Sequence, residues 1–251
     1  MELPLLEADL DAEGVLEPAR LFANTDAPRR AVMCFFQEVV QEFGGRVHAT
    51  MTSVYGGRPM YETQHGGERI AFFFPGVGAP AAAACMEEAI AMGCRGFIAV
   101  GGAGALVPNL TIGHAVVVDS AVRDEGTSFH YLAPSRTVDA DETATQAIEV
   151  ALEAAAVPFV RGRSWTTDAI YRETRGRVQR RVAEGCVTVE MEAAAFFAIG
   201  RFRNVRVGQL LYAGDALHGD EWDGRDWLRA RSVREHMFRI ALDAAAQLDI
   251  D

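Results

Sequence analysis

The chain has 251 residues, 49% hydrophobic and 24% charged, which is ordinary for a soluble globular protein and long enough to bury a large α/β core. A net charge of −11 and a pI near 5.0 argue against nucleic acid or an anionic membrane as the main partner. All 24 cationic residues are arginine, which excludes a Schiff-base lysine and a Walker-type phosphate lysine.

Residues 1–28 are acidic and proline-dotted and read as an N-terminal arm; residues 29–251 read as one domain, with no linker, repeat or low-complexity tract. A strand is expected over 30–36 and a helix over 38–43. Segments 58–65 and 69–75 flank Gly66-Gly67, a two-residue hairpin signal. Gly76-Val77-Gly78 leads into an alanine-rich helix over 79–92, closed by Gly93. A strand over 96–100 runs into Gly101-Gly102-Ala103-Gly104, and further strands are expected over 112–119, 159–165, 186–189 and 205–213. Helices are expected over 142–156, 171–184 (strongly basic) and 227–248, and an alanine-rich one begins near residue 193. Strands alternating with helices, several of them continuously apolar, predict a largely parallel central sheet covered on both faces.

Cys34, Cys85, Cys94 and Cys186 lie in apolar contexts without C-x-x-C spacing and read as reduced core residues. The start lacks the pattern of a signal peptide, and no apolar run reaches the length of a membrane span, so a cytoplasmic protein is expected. The six histidines show no H-x-x-x-H spacing and no G-x-S-x-G occurs, so neither a metal site nor a serine hydrolase is expected.

The most informative stretch is Val187-Thr188-Val189-Glu190-Met191-Glu192-Ala193-Ala194. It places two carboxylates at a strand–helix junction where the apolar pattern would otherwise continue. Buried carboxylates require partners or a polar ligand. In open α/β sheets ligands bind at the carboxyl ends of strands. The glycine pairs at 76–78 and 101–104, the Glu190/Glu192 junction and Gly214-Asp215 all fall at such ends. Gly101–Gly104 is not G-x-G-x-x-G, which disfavours a dinucleotide site; its backbone N–H groups suit a small anion.

Taken in order and spacing, the 76–78 glycines before a helix, the strand ending in G-x-x-G-A, the V-E-M-E-A-A block and the strand ending in G-D resemble the nucleoside phosphorylase superfamily. That family comprises purine nucleoside phosphorylases, uridine phosphorylases and related nucleosidases. Arg123-Asp124-Glu125-Gly126-Thr127-Ser128-Phe129-His130 is similar to the R-x-D-G-x-S-x-H loop of uridine phosphorylases. The resemblance implies a three-layer α/β/α sandwich with a central mixed, largely parallel sheet, and cleavage of the bond between a base and ribose C1′. It implies that Glu192 accepts the ribose hydroxyls, that Met191 packs on the sugar, and that Asp215 protonates or hydrogen-bonds the departing base. Glu190 is expected to cap the helix or pair with an arginine. The base pocket is expected from Trp165, Thr167, Ile170 and Tyr171 with Asp215, where Ile170 replaces the family's usual stacking phenylalanine. Asp215 points to purines and the Phe129–His130 loop to uridine.

Three usual phosphate ligands are missing. Ala99 and Gly102 stand where phosphorylases place an arginine and a Ser or Thr, and Phe35-Phe36-Gln37-Glu38 replaces the G-D-P-x-x-R loop. An anion site is therefore expected from Gly78, Gly102, Arg58 and Arg123. The favoured expectation is phosphorolysis, with inorganic phosphate as co-substrate, no further cofactor, and a homodimer or a hexamer built from dimers. The alternatives are a nucleosidase that uses water, and a non-catalytic nucleoside- or base-binding or storage protein.

Overall fold

The computed structural model describes residues 3–251 except 8, 23, 24, 48, 53–56, 112, 220 and 226–230. Among the described residues ten strands form one sheet: β1 (Arg30–Cys34), β2 (Ala49–Thr52), β3 (Pro59–His65), β4 (Glu68–Phe73), β5 (Gly96–Ala105), β6 (Ala115–Asp124), β7 (Thr137–Asp139), β8 (Phe159–Thr167), β9 (Cys186–Glu190) and β10 (Arg206–Ala216). The helices are α1 (Gln37–Gly44), α2 (Ala79–Met92), α3 (Glu142–Ala154), α4 (Arg175–Ala183), α5 (Ala193–Arg203) and α6 (Arg231–Gln247).

Local chemistry explains most boundaries. Gly66 and Gly67 take φ of +57° and +85°, the positive values a tight two-residue hairpin requires, and join β3 to β4. Helix α2 starts after Gly78 at φ +94°, carries Pro80 in its first turn and stops at Gly93, whose N–H reaches back to Ala89 and Ile90. Asp141 caps α3 by accepting the Ala144 N–H. The short strands β2 and β7 have too few apolar residues to announce themselves, and pairing with β3 and β6 creates them. The expected helix over 171–184 divides into a 3-10 turn, Ile170–Arg172, and α4. The expected start of the last helix at 227 lies outside the described residues.

The strand order is β10-β6-β8-β9-β5-β1-β4-β3-β2, with β7 beside β6. Strand β10 also pairs with β5, so β5, β10, β6, β8 and β9 close into a ring from which the other strands extend. β1–β4, β1–β5, β5–β10, β6–β8 and β8–β9 run parallel, and the remaining pairings are antiparallel. The sheet is thus more evenly mixed than its apolar runs suggest.

Alternation along β5 builds the three layers. Phe97 and Ala99 face the core that holds Met86, Phe196 and Phe197 of α2 and α5. Ile98 and Val100 face the opposite core, with Ile148 of α3 and Phe238 of α6. Each such side chain withdrawn from water contributes about 1.5–3 kcal/mol, enough to fix which face of every strand turns inward.

One irregularity positions the site. β1 pairs with β5 only as far as Val100, and β9 pairs with it only from Gly104. Among the described strands none pairs with residues 101–103 on that edge. The glycine run is therefore strand rather than a terminal turn, held on its other edge by β10 through Ala105 and open on this one.

Candidate active site

The open edge of β5 is the floor of a crevice. The antiparallel register sets Gly104 against Val189 and Ala105 against Thr188, so β9 ends at Glu190 beside the open edge and Met191-Glu192 lead from it into α5. Opposite lies the 76–78 turn that follows β4. Glu192, buried, bridges the two rims: its Oε1 accepts the Gly78 N–H at 2.5 Å. Burial, then the neighbouring Glu190 charge, push the Glu192 carboxyl well above the usual range. Met191 between them is half-buried.

Glu190 has a different task. Its Oε2 accepts the backbone N–H groups of Glu192 and Ala193 at 2.7 and 2.6 Å, capping α5. Its Oε1 accepts the hydroxyls of Thr166 at 2.6 Å and Ser164 at 3.4 Å. The Thr166 hydroxyl in turn accepts the Ala194 N–H. Glu190 is thus consumed by the protein and holds Glu192 in place.

At the end of the crevice, Asp215 stands in register with Gly104, and its Oδ1 lies 3.5 Å from where a Cβ on that glycine would be. Its Oδ2 accepts the Trp222 indole N–H at 2.7 Å. Thr167 is buried, and its hydroxyl accepts the Ala169 N–H. Ile170 and Tyr171 follow on the exposed turn, Tyr171 at 96% exposure.

Two expected ligands do not reach the crevice. Trp165 is fully buried among Leu106, Val122, Val178 and Val189, with the guanidiniums of Arg177 and Arg181 over its ring and its N–H on Asp124. No face is left for a base. Arg123 is spent on its own loop: it donates to Ser128 Oγ, Ser135 Oγ and the carbonyls of Leu132 and Ala133, and covers Phe129. Burial lowers its proton affinity, so the loop holds it by hydrogen bonds in place of solvent.

The remaining anion donors are differently arranged from expectation. The Arg58 guanidinium lies over Gly76, where an added Cβ would sit 2.9 Å from Nη2, and its buried Nη1 has no hydrogen-bond partner among the described residues. Gly76 at φ +90° and without a side chain is what admits that approach. The Gly78 N–H is taken by Glu192. Gly102 is backed by Tyr212, whose ring would lie 3.2 Å from its Cβ, and the Tyr212 hydroxyl accepts Arg234 Nε at 3.3 Å. Phe35 packs against Gly101 in the same way. This aromatic backing of the glycines was not legible in the sequence, because Tyr212 lies 110 positions away and only strand pairing makes it a neighbour of Gly102.

A separate cleft of about 800 Å³ opens at the amino ends of β5 and β10. Three of its arginines are matched by acids, Arg29 with Asp251, Arg201 with Asp139 and Arg206 with Asp141. Among the described residues no group of His, Cys, Asp and Glu is arranged to hold a metal ion, and no helix is long and apolar enough to cross a membrane.

Comparison with known proteins agrees with this fold. A guanosine phosphorylase from Halorubrum lacusprofundi is 30% identical over 178 residues, covering 69% of this chain and 74% of its own. A uridine phosphorylase from Treponema pallidum is 32% identical over 147 residues, a match that spans 54% of this chain and 57% of the relative's length. Among solved structures, a Vibrio fischeri uridine phosphorylase superposes with a TM-score of 0.75 at 21% identity, over 88% of this chain and 93% of that one. A Toxoplasma gondii purine nucleoside phosphorylase does so with a TM-score of 0.77 at 19% identity, over 89% and 92%. The profile of the Phosphorylase superfamily matches residues 29–246, and the chain belongs to that superfamily.

Proposed function

We propose that this protein is a nucleoside phosphorylase: a pentosyltransferase that cleaves the N-glycosidic bond of a purine nucleoside or uridine with inorganic phosphate, giving free base and ribose 1-phosphate. The observation that carries the reading is Glu192, buried just after the end of β9, bonded to the Gly78 N–H and held through Glu190. A carboxylate there takes the two vicinal hydroxyls of ribose, with Met191 against the sugar. Those bonds strengthen as C1′ gains oxocarbenium character. Asp215, 3.5 Å from the Cβ position of Gly104, stands at the base end with Thr167, Ile170 and Tyr171. Phosphate would meet Arg58 Nη1, unpartnered among the described residues, and the amides of the open edge near Gly102.

A hydrolytic reading is favoured by one feature: Phe35, not an arginine, packs on Gly101. Base release and ribose 1-phosphate formation from a panel of purine nucleosides and uridine, with and without phosphate, decide between the two. Phosphorolysis requires phosphate-dependent release. Equal release without phosphate identifies a nucleosidase, and binding without turnover a binding protein. The exposed Val77, Ile170, Tyr171 and Trp222 near the crevice suit the expected homodimer or hexamer of dimers, which light scattering would measure.

A further inference from the structure

Three fully buried hydroxyls form a chain that ends on Glu190, and no motif announces them. Thr188 of β9 donates to Ser164 Oγ of β8 at 3.2 Å, and Ser164 donates to Glu190 Oε1 at 3.4 Å. Thr166 of β8, in register with Glu190, donates to the same oxygen at 2.6 Å. A buried hydroxyl costs stability unless it is bonded, and valine would fill the place of either threonine with no polar atom to satisfy. The hydroxyls are useful there only for the bonds they make.

Of the three, Thr166 is the one that also holds α5. Its oxygen accepts the Ala194 N–H at 3.0 Å, while Glu190 Oε2 accepts the N–H groups of Glu192 and Ala193 at 2.7 and 2.6 Å. The three consecutive donors at the start of α5 are thus gripped by one carboxylate and one hydroxyl, which are bonded to each other. Glu192 is the residue that leads into this helix, with φ −140° and ψ −28°. Its side chain does not cap α5 and reaches instead to the Gly78 N–H at 2.5 Å. The backbone held over 192–194 therefore sets the point from which the Glu192 carboxylate projects.

We propose that Thr166 is a positioning residue of the reaction: its hydroxyl, bonded to both Glu190 and the Ala194 N–H, fixes the start of α5 so that Glu192 meets the ribose hydroxyls. This rests on the nucleoside-cleaving reading above. Thr166 acts through Glu192 and touches no substrate. Without its hydroxyl the Ala194 N–H loses that acceptor and Glu190 loses its shorter hydroxyl bond, so the 190–194 segment relaxes and the Glu192 carboxylate moves off the sugar. A displacement of about 1 Å at such a site costs about 100-fold in rate. The loss falls mainly on kcat, because bonds to the sugar hydroxyls strengthen in the transition state.

The test measures kcat and KM for the unaltered protein, Thr166→Val, Thr166→Ser and Thr188→Val. The substrates are the ribonucleoside turned over fastest and its 2′,3′-dideoxy counterpart, which offers Glu192 no hydroxyl. Thr166→Val should lose about 100-fold in kcat/KM on the ribonucleoside, most of it in kcat. On the dideoxynucleoside it should stay within about twofold of the unaltered protein. Where that substrate is cleaved too slowly to follow, its inhibition constant replaces kcat/KM and should be unchanged. Thr166→Ser keeps the hydroxyl and should restore the ribonucleoside rate. Thr188→Val removes a buried hydroxyl of the same chain that does not reach α5, and should affect both substrates alike. If circular dichroism shows that Thr166→Val does not fold, Thr166→Cys, whose thiol bonds only weakly, is read in the same way. Equal losses on the two substrates, or a Thr188→Val variant that separates them as Thr166→Val does, overturn the proposal and leave the nucleoside-cleaving reading standing. If the unaltered protein releases base from no nucleoside, that reading fails and the proposal with it.

Discussion

Glu190 offers the sharpest check on how this site is held. Replacing it by alanine removes the acceptor for the Glu192 and Ala193 N–H groups and for the Thr166 hydroxyl, all inside the protein. Each buried donor left without a partner costs about 1–3 kcal/mol. Two backbone N–H groups alone therefore cost about 2–6 kcal/mol. Two effects offset part of this: the desolvation of the Glu190 carboxylate disappears, as does its repulsion of Glu192. A net loss of about 3 kcal/mol is expected, a large share of the 5–15 kcal/mol typical of a whole domain. For a chain of this length that lowers Tm by roughly 6–12 °C. Glu190→Gln behaves differently: its carbonyl oxygen still accepts both N–H groups, and its amide donates toward Ser164 and Thr166, whose hydroxyls have spare lone pairs. It should cost about 1 kcal/mol or less. Urea denaturation of both variants, with base release as a second readout, tests this. A Glu190→Ala loss under 1 kcal/mol, or a Glu190→Gln loss as large as that of alanine, would falsify the capping role.

Gly102→Ser, the change that would restore a phosphorylase-like hydroxyl, should instead destabilise by about 1–3 kcal/mol. Its Cβ meets the buried Tyr212 ring at 3.2 Å, although Gly102 itself is exposed on its other side; an unchanged melting temperature would count against this packing. Arg123→Ala should cost about 3 kcal/mol through the loss of its charge-assisted bonds to residues 128–135, yet leave KM for phosphate unchanged at a permissive temperature. A rise in that KM would return Arg123 to the anion site. Glu173→Gln should alter stability with a definite sign. The folded-state proton affinity of Glu173 is raised from 4.5 to about 7, so its contribution is fully present below pH 4.5 and is lost as pH rises through 7. The variant should match the unaltered protein at pH 4.5 and exceed it by about 1 kcal/mol at pH 8, a figure already discounted for its half-exposed setting. Thermal melts at the two pH values check it, and equal differences at both would rule the titration out.

Much of this protein is local and therefore legible in its sequence. The 66–67 hairpin, the limits of α2 and the buried runs of β1, β5 and β8 follow from glycine φ preferences and from side-chain periodicity, properties of neighbouring residues. So does the acidic strand–helix junction, where Glu190 caps α5 as helix-end chemistry requires. The composition of a residue window says nothing, however, about which distant chain crosses it. Trp165 and Arg123 have the residue types of ligands, but the packing of α4 and of the 128–135 loop encloses them. Gly102 reads as a bare glycine until strand pairing sets Tyr212 where a side chain would be. Glu173 reads as one acid on a basic helix until burial, with the Asp215 charge second, raises its proton affinity. Burial and the field of a neighbouring charge arise only when segments meet, so the sequence by itself determined the carboxylate-bearing strand–helix junction, while the tertiary structure decided which side chains are free to act.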